Sequence, residues 1–260
     1  MKVKELMNTN LIKIDVNQPL RSAFELMKKH KISHLVVTRH GKIDGIVSFR
    51  DLLQRLGKET ERKLSDAHIY VSSCYQKHII TIDKDADIRE AAKLMMKYKI
   101  SSLLVEDNKN IIGIITKTDL LRALKHVEPP VESIMRRNPA YLHPESRLVE
   151  ARKIMIDENI KHLPIIKSGK VVGVVSEKDL VKALEIFRKT SEGKHWNKKI
   201  REIRLEKIMS TPPIVVTKET KISKAAKLMI ESRIGCLPVV ENDKLIGIVT
   251  KTDLISLLIQ

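Results

Sequence analysis

Hydrophobic positions along this chain switch between two periods, four times over. At Leu20, Ala23, Phe24 and Met27 they fall at i, i+3, i+4 and i+7, one face of a helix. The spacing returns at Ile88, Ala91, Ala92 and Met95, and at Ile222, Ala225, Ala226 and Met229. A third copy, Leu148, Ala151, Arg152 and Met155, departs at one place. The small alanines let such a helix lie close to a sheet or to another helix. Each helix is followed by two aliphatic, β-branched runs across a polar pair. The first two copies are Leu35 to Val37 and Ile43 to Val47 around His40-Gly41, and Leu103 to Val105 and Ile111 to Ile115 around Asn108-Lys109. The others are Leu163 to Ile166 and Val171 to Val175 around Ser168-Gly169, and Leu237 to Val240 and Leu245 to Val249 around Asn242-Asp243. Strand, polar turn, strand predicts a hairpin. A further extended piece precedes each helix, at Leu11 to Ile14, Ile79 to Ile82, Tyr141-Leu142 and Ile214 to Val216. The predicted unit is β-α-β-β-α.

Every unit closes on G-h-h-S/T-x-x-D, with h apolar, which opens a second helix. The motif aspartates are Asp51, Asp119, Asp179 and Asp253, each 31 residues after the first apolar residue of its unit. The motif glycines, Gly45, Gly113, Gly173 and Gly247, each stand 25 residues after it. Four ungapped copies mark an internal duplication. The connections alone vary, with Asp-to-Asp spacings of 68, 60 and 74 residues. A unit this small buries little surface by itself, so pairing is expected. The expected fold class is α/β (α+β), with repeat one at 1–57, repeat two at 66–125, repeat three at 131–185 and repeat four at 205–260. Pro129-Pro130 stops the preceding helix. The border between module one (1–125) and module two (131–260) is placed there. A basic insert, 186–204, carries the single tryptophan, Trp196.

The composition narrows the chemistry. Hydrophobic residues make up 42% of 260 residues and aromatics 3%, so the expected core is real and aliphatic. A formal net charge of +17 favours anionic partners: nucleotides, nucleic acid, or acidic protein or lipid. No apolar run approaches the roughly 18 residues of a membrane span, so no membrane insertion is expected. The opening MKVKELMNTN lacks the apolar region of a secretory signal, which makes the cytoplasm the expected location. Cys74 and Cys236 form neither a CxxC nor a zinc spacing, and no disulfide or metal is expected. There is no Walker sequence, no G-x-G-x-x-G and no H-E-x-x-H, and the nine histidines do not cluster. A non-catalytic protein is the expectation.

The repeat resembles the cystathionine β-synthase (CBS) domain. The resemblance rests on the helix ending in Leu-Met, the following I-S-H-L-V-V or I-x-x-L-P-V-V strand, and the G-h-h-S/T-x-x-D-L close. A leading V-x-x-L/I-M is also present as Val3 to Met7 and Val131 to Met135, with Leu205 to Met209 as a near match. Repeat two departs there, reading Val71 to Tyr75. Four copies cover nearly the whole chain. The resemblance implies two CBS pairs (Bateman modules) about pseudo-twofold axes, as in stand-alone archaeal four-CBS proteins and the γ subunit of AMP-activated protein kinase. The modules would stack within one chain as a disc, or two chains would pair as a homodimer. The ligands implied are adenosine derivatives: AMP, ADP or ATP first, S-adenosylmethionine or NAD after them. No cofactor is required. The role implied is regulatory, an energy sensor read by a regulated protein that the sequence does not name.

The motif chemistry fits such a ligand. A carboxylate accepts from both ribose hydroxyls, which suits Asp51, Asp119, Asp179 and Asp253. Ser48, Thr116, Ser176 and Thr250 would donate to a phosphate. The same S/T-x-x-D is also a capping box, in which both side chains satisfy backbone N–H groups. By the resemblance, adenine lies between paired domains. Ile100 and Ser101 would then serve the Ser48/Asp51 cleft, and Ile32 and Ser33 the Thr116/Asp119 cleft. Ile234 would serve Ser176/Asp179, and Ile160 would serve Thr250/Asp253. Where the γ-subunit family often places a phosphate-binding arginine, this chain has His34, Ser102, His162 and Cys236. A histidine donates better than serine or cysteine, especially when protonated, which ranks the Asp51 and Asp179 clefts first. Arg50, Lys117, Lys178 and Lys251 flank the aspartates and would add charge or simply face solvent. Two other readings stand beside the sensor. One is a nucleic-acid binder using the basic surface and the Trp196 insert; the other is a scaffold with vestigial pockets.

Overall fold

The computed structural model describes residues 1–58, 69–190 and 196–259; the expected start of repeat two, at 66, lies outside them. Repeat one runs β1 (Lys13–Asp15), α1 (Leu20–His30), β2 (His34–Arg39), β3 (Lys42–Ser48) and α2 (Phe49–Lys58). Repeat two has β4 (Thr81–Asp83), α3 (Ile88–Lys97), β5 (Ser102–Asp107), β6 (Asn110–Thr116) and α4 (Lys117–Leu120), which continues as a 3-10 turn over Leu121–Leu124. Repeat three opens with β7 (Arg136–Arg137), then α5 (Leu148–Asp157), β8 (His162–Lys167), β9 (Lys170–Ser176) and α6 (Glu177–Thr190). The insert forms α7 (Trp196–Arg201). Repeat four closes the chain with α8 (Ile222–Glu231), β10 (Cys236–Glu241), β11 (Lys244–Thr250) and α9 (Lys251–Ser256).

The periodicity translates directly into burial. Leu20, Ala23, Phe24 and Met27 face the core from α1, and the equivalent residues do so from α3, α5 and α8. Arg152, the exception, donates instead to the Leu53 carbonyl of repeat one at 3.4 Å. Each of these helices is followed within two residues by one in the left-handed region: Lys31, Lys99, Asn159 or Arg233. The next isoleucine then donates back to the methionine carbonyl five residues earlier, which holds the turn into the strand. All four hairpins are antiparallel. Both turn residues have positive φ in each, as His40-Gly41 (49° and 76°) illustrates. Tight two-residue turns of this hand match the twist of the strands they join. The piece before the helix pairs parallel to the first hairpin strand, as a three-residue strand in repeats one and two. In repeats three and four it shrinks to one bridge, Leu142 to Ile165 and Val216 to Val239.

The leading segments do not pack on their own repeats. Residues 1–8 lie on repeat two, with Val3 N–H on the Ala86 carbonyl and Asn8 bridged to Ile114. Residues 69–76 lie on repeat one, where Leu20 N–H meets the Ile69 carbonyl and Gln76 bridges Ile46. Repeats three and four exchange segments in the same way. β7 pairs β11 at Arg136 to Ile248, and Ser210 bridges Val174. Here the motif glycines have their use. A Cβ at Gly113, Gly173 or Gly247 would meet the sulfur of Met7, Met209 or Met135 at 3.0, 2.7 and 3.0 Å. At Gly45 it would meet Tyr75, which stands in the methionine's place, at 2.4 Å. The Tyr75 hydroxyl donates to Asp44 at 2.5 Å.

Two apolar cores result, and neither belongs to one module. The first joins repeats one and three, with Leu52, Leu53 and Leu56 of α2 against Leu180, Val181 and Leu184 of α6. The second joins repeats two and four, with Leu120, Leu121 and Leu124 against Leu254 and Ile255. Backbone exchange links one to two and three to four; helix packing links one to three and two to four. The four repeats close into a ring whose centre is lined by the starts of α2, α4, α6 and α9.

Candidate functional site

The motif serine or threonine and its aspartate form the same unit in all four repeats. The aspartate Oδ2 accepts from the backbone N–H and from the hydroxyl three residues earlier. The distances are 2.7 and 2.6 Å for Ser48 to Asp51, and 2.8 and 2.7 Å for Thr116 to Asp119. They are 2.9 and 2.6 Å for Ser176 to Asp179, and 2.8 and 2.6 Å for Thr250 to Asp253. The capping arrangement is therefore present, and it spends the hydroxyl protons of Ser48, Thr116, Ser176 and Thr250 on their aspartates rather than leaving them for a phosphate. Capping consumes one carboxylate oxygen and leaves Oδ1 for another partner.

That second oxygen separates the clefts. Asp51 Oδ1 accepts from Gln76 Nε2 at 2.7 Å, and Asp253 Oδ1 accepts from Arg136 Nε at 2.7 Å. Among the described residues no hydrogen bond reaches Oδ1 of Asp119 or Asp179. Asp51 and Asp253 are buried, while Asp119 and Asp179 are half-buried and reachable.

The histidines behave differently from a charged phosphate ligand. His34 and His162 are both lowered to about 3, by burial first and by repulsion from Lys161 and Lys251. Both rings are neutral at physiological pH. His34 Nε2 lies 2.9 Å from Ser101 Oγ, which also lies 3.1 Å from Lys161 Nζ. An ammonium only donates, so the hydroxyl accepts from Lys161 and donates to His34. In the other module the His162 ring fills the space where a Cβ at Gly235 would stand, 2.3 Å away. His34 pairs in register with Ser48, and His162 with Ser176. Ser101 is thereby brought to the Ser48 strand, and Gly235, next to Ile234, to the Ser176 strand. Ile32, Ile100, Ile160 and Ile234 are half-buried at the rims of the cores, and Ser33 is exposed. Ser102 and Cys236 are buried, and burial pushes the Cys236 thiol up to about 12. Cys74 and Cys236 are free thiols.

At the centre of the ring lie three lysines. Lys117 Nζ donates to Thr252 at 2.8 Å, and Lys251 Nζ donates to Thr118 at 2.7 Å, a reciprocal pair between repeats two and four. Burial lowers each to about 8; Lys161 adds to the shift, while Asp253 opposes it at Lys117 and Asp119 opposes it at Lys251. Lys161 is itself lowered by burial. None of the three forms an ion pair at contact distance among the described residues. Arg50 is used otherwise: it pairs with Glu177 of repeat three and donates to the Met155 and Ile160 carbonyls at 2.9 Å each. Lys178 is exposed. Lys161, Gln76 and Arg136 carry no repeated signal, because none of them recurs at the equivalent position of another copy. Trp196 opens α7, and its side chain lies outside the described residues. Among those residues no cluster of metal-binding side chains occurs, and no helix is long and apolar enough to cross a membrane.

This ring of exchanged repeats agrees with relatives of known structure. Protein MJ1225 of Methanocaldococcus jannaschii is 26% identical over 98% of this chain and 97% of its own length. Protein MJ1404 of the same organism is 29% identical over 98% of this chain, which spans 61% of that longer protein. The crystal structure of MJ1225 superposes with a TM-score of 0.88 at 24% identity over 99% of both chains. A Pyrococcus horikoshii protein does so at 0.66, with 24% identity over 99% of this chain and all of that one. The sequence profile of the CBS domain matches residues 3–58, 71–126, 131–186 and 201–260. The chain belongs to the CBS domain family, with four copies of the domain.

Proposed function

We propose that this protein is a non-catalytic sensor that binds an adenosine nucleotide, AMP, ADP or ATP, in clefts between paired CBS domains. The observation that carries the reading is the conjunction of motif carboxylates with half-buried lysines that have no contact carboxylate. A carboxylate oxygen facing a cleft suits ribose hydroxyls, which donate to it. The lysines supply the charge that the capped serines and threonines do not. Lys251 lies near enough to Asp119 to feel its charge, so one ligand would meet both, ribose on Asp119 and phosphate on the ammonium. The same cations disfavour S-adenosylmethionine, which brings a positive sulfonium and no phosphate.

Sensing follows if the ligand prefers one packing of the repeats over another. The centre of the ring is shared by both modules, so a phosphate there would bias the one-to-three and two-to-four interfaces together. A regulated partner would read that change. The test is calorimetric titration of the full chain, freed of ligand, with AMP, ADP, ATP and S-adenosylmethionine. Saturable binding of the phosphorylated ligands, weakened at least about tenfold at the Asp119 cleft by Asp119→Ala, is expected for one lost pair of charge-assisted bonds. Absence of binding to every ligand by folded protein would overturn the reading.

A further inference from the structure

We infer that two of the four clefts are shut by the chain itself, Asp51 by Gln76 and Asp253 by Arg136, so that the protein takes two nucleotides, at Asp119 and Asp179, rather than four. This rests on the nucleotide reading above. The positions Asn8, Gln76, Arg136 and Ser210 are equivalent. Each follows the side chain that fills the motif glycine, and each pairs with the strand residue after that glycine: Ile114, Ile46, Ile248 and Val174. Each therefore emerges beside the motif aspartate of the repeat it has crossed onto.

Side-chain length and donors decide what happens next. Gln76 and Arg136 are long and carry N–H groups, and both reach Oδ1 at 2.7 Å. Ser210 is too short to do so. The Asn8 side chain is turned back on its own loop, where its Oδ1 accepts from Asn10 N–H at 2.8 Å. Since Oδ2 already accepts two bonds within the motif, Oδ1 is the oxygen left for a ribose. Burial follows the same division: Asp51 and Asp253 are 5% and 9% exposed, whereas Asp119 and Asp179 are only half-buried. A ribose entering at Asp51 or Asp253 must first displace the plug. Arg136 is the firmer of the two, because its bond to Asp253 is charged at both ends. The division cuts across the placement of His34 and His162, which would group Asp51 with Asp179.

Calorimetric titration of the full-length chain with AMP counts the sites. Wild type is expected to bind two per chain. Arg136→Ser gives the Asp253 cleft the residue that the Asp179 cleft carries, and is expected to add a third. Ser210→Arg is expected to close the Asp179 cleft and leave one. Both positions are exposed, and unchanged thermal unfolding without AMP confirms that each variant is folded. Four sites in wild type, a count unmoved by both substitutions, or a count lowered by Arg136→Ser would overturn the inference and leave the nucleotide reading intact. No AMP binding in wild type or in either variant would overturn the nucleotide reading, and this inference with it.

Discussion

The two helical interfaces of the ring solve one packing problem with different charges. Between repeats one and three, the first helical positions bring Arg50 onto Glu177, and the guanidinium also satisfies two carbonyls at the end of α5. Between repeats two and four, the equivalent positions bring Lys117 and Lys251 onto threonine hydroxyls. The apolar parts are alike, leucine and isoleucine against leucine and valine. The first interface is electrostatically closed. The second holds half-buried positive charge without a contact counterion, and such charge costs stability unless something anionic arrives. The difference assigns a structural role to one side of the ring and a ligand-dependent role to the other.

The largest expected effect comes from breaking the closed side. Glu177→Ala leaves Arg50 buried without its partner and should cost about 3 kcal/mol, measured by denaturant unfolding. Thr252→Val on the other side removes only a hydroxyl from Lys117 and should cost about 1 kcal/mol. Next comes the seating of the crossed segments. A Cβ at Gly45 meets Tyr75 and the Gln76 carbonyl at 2.4 Å, so Gly45→Ala should cost about 2 kcal/mol. At Gly247 the nearest atoms are 3.0 Å away, and Gly247→Ala should cost clearly less in the same experiment.

Smaller effects test the uncompensated charge. Lys117→Met should stabilise the ligand-free protein by about 1 kcal/mol, because it removes a half-buried charge that has no contact counterion. Stability should also depend on pH in a defined window. The folded chain releases protons from Lys117 and Lys251 near pH 8, while the unfolded chain keeps them to about 10.5. Between those values the unfolded state binds more protons, so stability rises with pH and is flat in this respect below the window. The rise should shrink in Lys117→Met. Unfolding midpoints from pH 7 to 10.5 would show it.

Much of this was legible in the sequence. The helix faces, the hairpins, the motif aspartates and the constant place of each glycine follow from periodicity and register. The purpose of that glycine did not, because its neighbour Met7, Tyr75, Met135 or Met209 comes from a segment that crosses to the other repeat. Periodicity records which face is apolar, not which repeat covers it. The site was half visible. The repeated aspartates stood out, whereas Gln76 and Arg136 occupy a position that reads Asn, Gln, Arg and Ser, so comparing the copies hides it. Lys161 escapes for the same reason, standing where the other repeats have Ser33, Ser101 and Gly235. His34 and His162 were visible, but their neutrality comes from burial and from Lys161 and Lys251, and of these only Lys161 is near in sequence, beside His162.

The most direct measurement is the proton balance of AMP binding at about pH 8.5. Calorimetric titrations in two buffers of different ionisation enthalpy would report it. A phosphomonoester has its second pKa near 6, so AMP itself exchanges essentially no protons there. A phosphate seated on the central lysines would raise their pKa values and draw protons from the buffer. The account predicts net proton uptake on binding, reduced in Lys117→Met and Lys251→Met. Tight AMP binding with the same heat in both buffers would contradict it, and would place the phosphate away from the lysines.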